Sequence, residues 1–485
     1  MSMKLTPVIG LEIHVQLKTI SKMFCACDNT GENQPANTTI CPVCLAHPGT
    51  LPIPNRTAIE LGVKAALALN LQINLHSKFD RKNYFYPDLP KGYQISQYDE
   101  PLAQNGFLDI QVDGETRRVG LERLHLEEDT AKLLHVAGKS LVDFNRAGTP
   151  LAEIVTKPEI TSPTEAKLFL QELRLIMRTL GVSDADMEKG HLRCDANISL
   201  RPEGDSKFYP KTEIKNLNSF RSVEKALTYE IERQTKLWAE GGAPQITSTR
   251  GWDDKKGITV LQRTKEAIHD YRYFPEPDIP PLEITSEQIE AWRASLPELP
   301  SVKRSRLINE FGLSPKEAEL LLDDENLGCL VGKVSTELAP ELEGDVKAAS
   351  KLTFNWLANK LTAILREKNL SLEQVDFDTK KLVNFLLLIA RRQVNSTNGQ
   401  VLLRKMIETG KEPLQIIADD DLGQNETGDL ETVVSDVIAQ FPDQVAQFKA
   451  GKEPVIKFLL GAVIKATRGK VDPISVEEVL REMLK

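Results

Sequence analysis

The sequence predicts an α+β protein: a largely antiparallel sheet domain with flanking helices and a cysteine loop, then an all-helical region ending in a small helical tail. Three observations predict it. Polar and apolar residues alternate over 8–17, 123–129, 191–201 and 211–215, the period-2 pattern of strands with one buried face. Helix-start signals such as Asn55 and Ser162-Pro163-Thr164-Glu165 fall between these runs, so helices flank the strands. After Ile284 the alternation stops and helical periods take over.

The 485 residues make about three domains at ~150 residues each. The change of pattern puts them at 1–294, 295–416 and 417–485. A net charge of -9 provides no global field for nucleic acid, so RNA contacts must come from local patches. No run approaches the ~18 apolar residues of a membrane span, and residues 1–7 lack a signal-peptide core. A cytoplasmic (or organelle-matrix) protein is expected, in which disulfides are disfavoured.

The first strand, 8–17, places Leu11, Ile13, Val15 and Leu17 on one face and Glu12, His14 and Gln16 on the other. The polar face suits a metal or a proton transfer, or is an ordinary solvent face. Next come Cys25-Ala26-Cys27, thirteen residues, and Cys41-Pro42-Val43-Cys44. Two close thiol pairs suit one tetrahedral, closed, structural Zn²⁺. Cys194 lies on the apolar side of its strand and reads as a buried, inert thiol.

A helix follows over 55–69 with Asn55 as its cap. Residues 78–88 interleave Arg81 and Lys82 with Tyr84, Phe85 and Tyr86. That composition suits base stacking and phosphate pairing, and equally a hairpin edge with packed aromatics. Asp113-Gly114 marks a hairpin turn within 107–119. Arg123, His125, Glu127 and Asp129 then share a face. Gly138-Lys139-Ser140 imitates the end of a phosphate-binding loop, but Leu133 stands where that motif needs glycine, so it is rejected. A helix with a Ser162/Glu165 capping box runs to about Leu180. The cleanest strand, 191–201, puts His191, Arg193, Asp195, Asn197, Ser199 and Arg201 on one face. Lys211, Glu213 and Lys215 repeat the pattern, and a helix follows over 225–240. In the helical region Ser314-Pro315-Lys316-Glu317 and Ser475-Val476-Glu477-Glu478 read as capping boxes. Lys449, Lys452, Lys457, Lys465, Arg468 and Lys470 make the tail locally basic, which suits phosphate-backbone contacts or a solvated helix face.

Four strands with ionisable faces go beyond ordinary solvent faces. Carboxylates with imidazole suit Mg²⁺ and its waters; Arg, Lys and Asn suit phosphate oxygens. Together they form a phosphoryl-transfer set, in which positioning and charge neutralisation supply most of the catalysis. No Ser/His/Asp or Cys/His nucleophile set stands out, so the nucleophile is expected from the substrate.

Several stretches then converge. Residues 8–15, 78–87, 124–129, 192–199, 215–220 and 270–278 resemble the B-subunit family of tRNA-dependent aspartyl/glutamyl amidotransferases (GatB), in its cysteine-containing form. The resemblance covers essentially the whole chain and is densest over 8–280. It implies a cradle-shaped kinase domain, a helical linker and a tail domain that contacts tRNA. The activity it implies uses ATP to phosphorylate the side-chain carboxylate of Glu-tRNA(Gln) or Asp-tRNA(Asn). Ammonia from an amidase-type A subunit then gives the amide, and a small C subunit completes a heterotrimer. By resemblance, Glu12 and His14 match a Mg²⁺ site with either Glu127 or Glu128, and Arg81, Lys82, Arg193, Asp195, Asn197 and Lys215 fall in the ATP-phosphate region. Cys25, Cys27, Cys41 and Cys44 are absent from some members, which fits a structural rather than a catalytic zinc. A non-catalytic RNA scaffold and a zinc hydrolase compete with this reading. A pure binder has no need of Glu12, His14 and Glu127 together, and four cysteines leave zinc no open position.

Overall fold

A computed structural model of the chain describes residues 4–264, 271–375, 378–420, 427–467, 471 and 473–484, excepting the side chains of 427–429, 473 and 474. The chain divides into two compact units, 1–300 and 301–485.

The first unit is organised by a nine-stranded sheet. Its order is Ile258–Thr264, Ser248–Asp253, Thr212–Leu217, Leu192–Pro202, Leu5–Gln16, Pro150–Thr156, Glu115–Glu128, Ala103–Val112 and Gln72–Ile73. The N-terminal strand is therefore the fifth of nine. Neighbours pair antiparallel except Thr212–Leu217 with Ser248–Asp253. That parallel pair is joined by the Phe220–Gly241 helix, the crossover that parallel strands require.

Ile9, Leu11, Ile13 and Val15 bury one face of the central strand in a core shared with three helices. Arg56–Ala68 contributes Val63 and Leu67, Pro163–Thr179 contributes Phe169 and Leu173, and Phe220–Gly241 contributes Val223 and Leu227. Full burial of side chains this size is worth about 1.5–3 kcal/mol each, so the apolar face fixes the register and directs the polar face away from the helices. The two-residue turn Asp113-Gly114 has φ +50° and +88°, the doubly positive geometry of a tight hairpin, and joins Ala103–Val112 to one long strand, Glu115–Glu128. The rejected phosphate-loop look-alike is also a hairpin turn, with Ala137 and Gly138 both at positive φ between Lys132–Val136 and Lys139–Asp143. A separate three-stranded sheet, Phe274–Pro275, Asp80–Asn83 and Tyr93–Ser96, stands near the end of Glu115–Glu128.

Several local expectations shift. Asn55 caps its helix as predicted, accepting from the N–H groups of Thr57 and Ala58. Ser162 also caps, but Glu165 accepts from the Thr161 N–H, so there is no reciprocal box. The helix expected over 225–240 begins at Phe220, because Ser219 caps it five residues earlier. Ile289, Trp292, Leu296 and Leu299 pack on the core of the first unit.

Among the described residues strands are confined to the first unit, and those of 301–485 form helices with short 3-10 and π segments. It holds two hydrophobic clusters, one from Leu307 to Ile416 and one from Leu430 to Leu484. Ser314 and Glu317 form the reciprocal capping box read from the sequence. The final helix starts at Pro473, so Ser475 lies inside its first turn and is not a cap; proline suits that first position.

Candidate active site and metal centre

The sheet register builds the polar site. His14 stands directly opposite Arg193 on one neighbouring strand and Glu153 on the other, and Glu153 stands opposite His125. A row of Arg193, His14, Glu153 and His125 thus crosses four strands. Glu12 stands opposite Asp195, one step along the same face. His14 Nε2 lies 3.4 Å from both Glu127 Oε1 and Glu153 Oε2, and His125 Nε2 lies 3.2 Å from Glu153 Oε2. Two overlapping sets, Glu12/His14/Glu153 and His125/Glu127/Glu153, each bring their ligand atoms within 4.8 Å of one another.

Glu127, Glu153 and His125 are buried, and His125 Nδ1 has no hydrogen-bond partner among the described residues. Burying so many ionisable groups is costly unless each finds an opposite charge. The electrostatics follow from that demand. Burial opposes the charged form of His14, but the hydrogen bond and charge of Glu153, with the charges of Glu127 and Glu12, hold its pKa up at about 9. Burial would raise Glu153, yet the imidazoles of His125 and His14 keep it well below the usual carboxylate range. Glu12 is raised by burial and by the charge of Glu153. Burial opposes the Lys82 ammonium, but Glu127, Tyr273 and Glu153 hold it firmly charged. Burial pushes Tyr273 up to about 12, reinforced by Glu153 and Glu127. The carboxylate-rich set, with cations at its edge, suits a hard divalent ion whose charge would replace that of the imidazolium.

The described residues singled out from the sequence fall as follows. Glu127 and Glu128 part, as successive strand residues must. Glu127 joins the cluster and accepts from Ser96 Oγ at 3.3 Å. Glu128 turns the other way, pairs with Lys91, accepts the Ile95 N–H at 3.0 Å, and lines a cavity of about 270 Å³ with Cys44 and Arg81. Arg81 makes a bidentate pair with Glu276 at 2.6 and 2.8 Å and covers the Tyr93 ring, so it fastens the small sheet. Arg193 donates to Asp129 at 2.9 Å. Lys215 pairs with Asp195 and, at 3.2 Å, with Glu213, which together hold it up at about 12 against burial. Asn197 stands between Gly10 and Glu213 on adjoining strands. Lys449, Lys452, Lys457 and Lys465 are exposed in the last cluster of the helical unit, while Arg468 and Lys470 lie outside the described residues.

Sequence reasoning missed Glu153, which sits at the centre of the row. Its signal was a lone carboxylate in the apolar run Leu151-Ala152-Glu153-Ile154-Val155. Tyr273 was also missed as a site residue, because nothing in an exposed-looking Tyr-Arg-Tyr segment shows that it folds toward the sheet.

The cysteine loop forms the second site. The sulfurs of Cys25, Cys27, Cys41 and Cys44 lie within 4.8 Å of one another, with Cys41 and Cys44 at 3.9 Å. Tetrahedral Zn–S bonds of ~2.3 Å give S···S separations of ~3.8 Å, so the thiols fit zinc. Cys44 is drawn toward thiolate, to about 5, by the Cys25 thiol, the Cys41 N–H and Lys22, against burial. The hydrogen bond to Cys44 and burial raise Cys25, and burial raises Cys27 to about 12.

This pairing of a sheet-borne carboxylate–imidazole site with a four-thiol loop has relatives. Residues 7–290 match the family described as the GatB/GatE catalytic domain, and residues 342–484 match the GatB domain. The chain belongs to the GatB family. It is 46% identical to the B subunit of the aspartyl/glutamyl-tRNA(Asn/Gln) amidotransferase of Persephonella marina over 484 residues, covering 100% of both chains. It is likewise 46% identical to the corresponding protein of Brevibacillus brevis, covering 99% of each, and 44% identical to that of Carboxydothermus hydrogenoformans, covering 98% of each.

Proposed function

We propose that the chain is the B subunit of a glutamine-dependent amidotransferase that converts Glu-tRNA(Gln), Asp-tRNA(Asn) or both to the amidated tRNA. The substrate carboxylate oxygen attacks the γ-phosphorus of ATP, ADP leaves, and an acyl phosphate forms. Ammonia attacks the acyl carbon, loses a proton, and inorganic phosphate departs as the C–N bond forms. Activation is required because a free carboxylate has no adequate leaving group.

The observation that carries this reading is the Arg193–His14–Glu153–His125 row with Glu12 and Glu127 beside it, in a chain of this family. Glu12, Glu127, Glu153 and His14 would hold Mg²⁺. When bound, that ion neutralises phosphate charge during transfer. Lys82, kept charged at the edge of the cluster, meets the γ-phosphate oxygens. Arg193, Asn197 and Lys215 extend the polar face toward the rest of the nucleotide, with Asp195 fixing the Lys215 ammonium. Cys25, Cys27, Cys41 and Cys44 hold a structural zinc.

An amidase-type A subunit supplies ammonia and a small C subunit joins them as a heterotrimer. We divide the chain into a cradle domain over 1–294, a linker over 295–416 and a tRNA-binding tail over 417–485; the separate hydrophobic clusters of the helical unit support the last division. In the tail, Lys449, Lys452, Lys457 and Lys465 meet the tRNA backbone. A cytoplasmic location, where thiols stay reduced, suits the cysteine site.

Glu12→Ala in the assembled complex, supplied with ammonium, ATP and misacylated tRNA, tests the reading. Amide formation should fall at least ~10²-fold while tRNA binding persists. Wild-type rates would overturn it. Salt-sensitive tRNA binding without ATP turnover in the unmodified complex would instead favour a scaffold.

A further inference from the structure

The segment that follows Lys82 is more aromatic than its fold requires. Six of the eight tyrosines in the chain, Tyr84, Tyr86, Tyr93, Tyr98, Tyr271 and Tyr273, gather in and around the small sheet beside the active site. Tyr98 and Tyr273 stack at 4.3 Å, and Tyr84 and Tyr86 lie 6.0 Å apart. Tyr273 also meets Tyr271 edge-on at 6.0 Å. At the other end Phe85 is 85% exposed and Tyr86 48%.

The exposure belongs to an ordered turn. The Tyr84 N–H donates to Gly92 O at 3.0 Å, and the Leu89 N–H donates to Tyr86 O at 3.0 Å. Leu89, not Phe85, takes the buried position. Gly92, at φ +74°, lies against the Phe85 ring; a Cβ there would meet it at 3.4 Å. The backbone therefore presents the ring to solvent, an arrangement that exposed aromatics justify when a partner covers them.

We infer that the Tyr84-Phe85-Tyr86 turn is a stacking platform for the unpaired 3′ end of the RNA substrate, an inference that rests on the function proposed above. Phe85 is three residues from Lys82, at most ~10 Å along the chain. An aminoacyl ester and its ribose span a similar distance. A substrate carboxylate that meets its phosphoryl donor beside Lys82 has its terminal base within reach of this turn. Stacking on aromatic faces tolerates any base, which suits an end common to all tRNAs.

The test uses the assembled complex. Phe85→Ala should raise KM for misacylated tRNA roughly 5- to 100-fold, leave KM for ATP and for glutamine unchanged, and be rescued by Phe85→Trp. As competitive inhibitors, intact deacylated tRNA should outperform tRNA trimmed of its three 3′ nucleotides with the unmodified complex, and the two should become equivalent with Phe85→Ala. An unchanged KM for tRNA overturns the inference, as does a raised KM for ATP, which would place the adenine of ATP on the ring. Loss of complex assembly in Phe85→Ala also overturns it, since the surface would then be a protein interface. Failure of the unmodified complex to form amide in any assay would instead strike the underlying function.

Discussion

The two metal-suited clusters of the first unit are built in opposite ways. The cysteine site is local: all four thiols lie within residues 25–44, on a loop whose only regular element is a three-residue 3-10 turn, Gly31–Asn33. The carboxylate–imidazole row is distributed, drawing residues 12, 14, 125, 127, 153 and 193 from four strands. The sheet ladder holds the row whether or not an ion is bound. The loop has no such ladder, so ligation supplies the order that packing does not. An ion lost from the row should therefore cost chemistry, and an ion lost from the loop should cost local structure.

The largest effect should follow from the centre of the row. Glu153→Gln keeps the shape but removes the charge that both His14 and His125 face at 3.4 and 3.2 Å. ATP-dependent amide formation by the complex should drop ~10²–10³-fold, while circular dichroism keeps the folded spectrum even though melting falls with the loss of the imidazolium–carboxylate pairs. A variant that unfolds would show that the row is structural, and the contrast with the loop would disappear.

A smaller effect separates the two sites by pH. His14 titrates at 6.5 in an unfolded chain and at about 9 when folded without metal. Because the folded value is the higher one, the stabilisation is fully present below pH 6.5 and is lost as pH rises through 9. The rise corresponds to roughly 3 kcal/mol. Chemical denaturation of Mg²⁺-free protein between pH 6 and pH 9.5 should reveal it, and NMR should follow the His14 ring directly. Adding Mg²⁺ should lower that pKa, since the ion replaces the proton among the same carboxylates. A His14 pKa unmoved by Mg²⁺ would show that the ion does not use this imidazole.

The contrast between local and distributed also explains what the sequence disclosed. The Cys-Ala-Cys and Cys-Pro-Val-Cys pairs were legible because their spacing alone brings the sulfurs together. Glu12, His14 and Glu127 were legible because strict alternation declares a face. Glu153 was hidden because a strand buried on both sides loses that alternation. Alternation favoured Glu127 over Glu128, a choice left open because the strand end could turn Glu128 inward, and the structure puts Glu127 3.4 Å from His14. Lys82 was placed at the site only by resemblance, because its strand belongs to another sheet and no alternation ties it to the carboxylates whose charge it feels.

Lys22 gives the finest test of the contrast. It is fully buried, and its ammonium donates to Thr39 O at 2.9 Å and Phe144 O at 3.3 Å, with Cys44 Sγ 3.9 Å away. A buried ammonium needs an anion, and four thiolates around a divalent ion carry net negative charge. The Cys44 thiolate supplies part of that charge beside Lys22, and a zinc-filled loop would supply more. Lys22→Met should weaken zinc binding roughly 10- to 100-fold in competition with a chromogenic chelator. At saturating zinc it should leave amide formation unchanged, because the row does not depend on the loop's charge. Unchanged zinc affinity would mean that the loop is as preorganised as the sheet, and lost activity at full zinc occupancy would mean that the two sites are coupled.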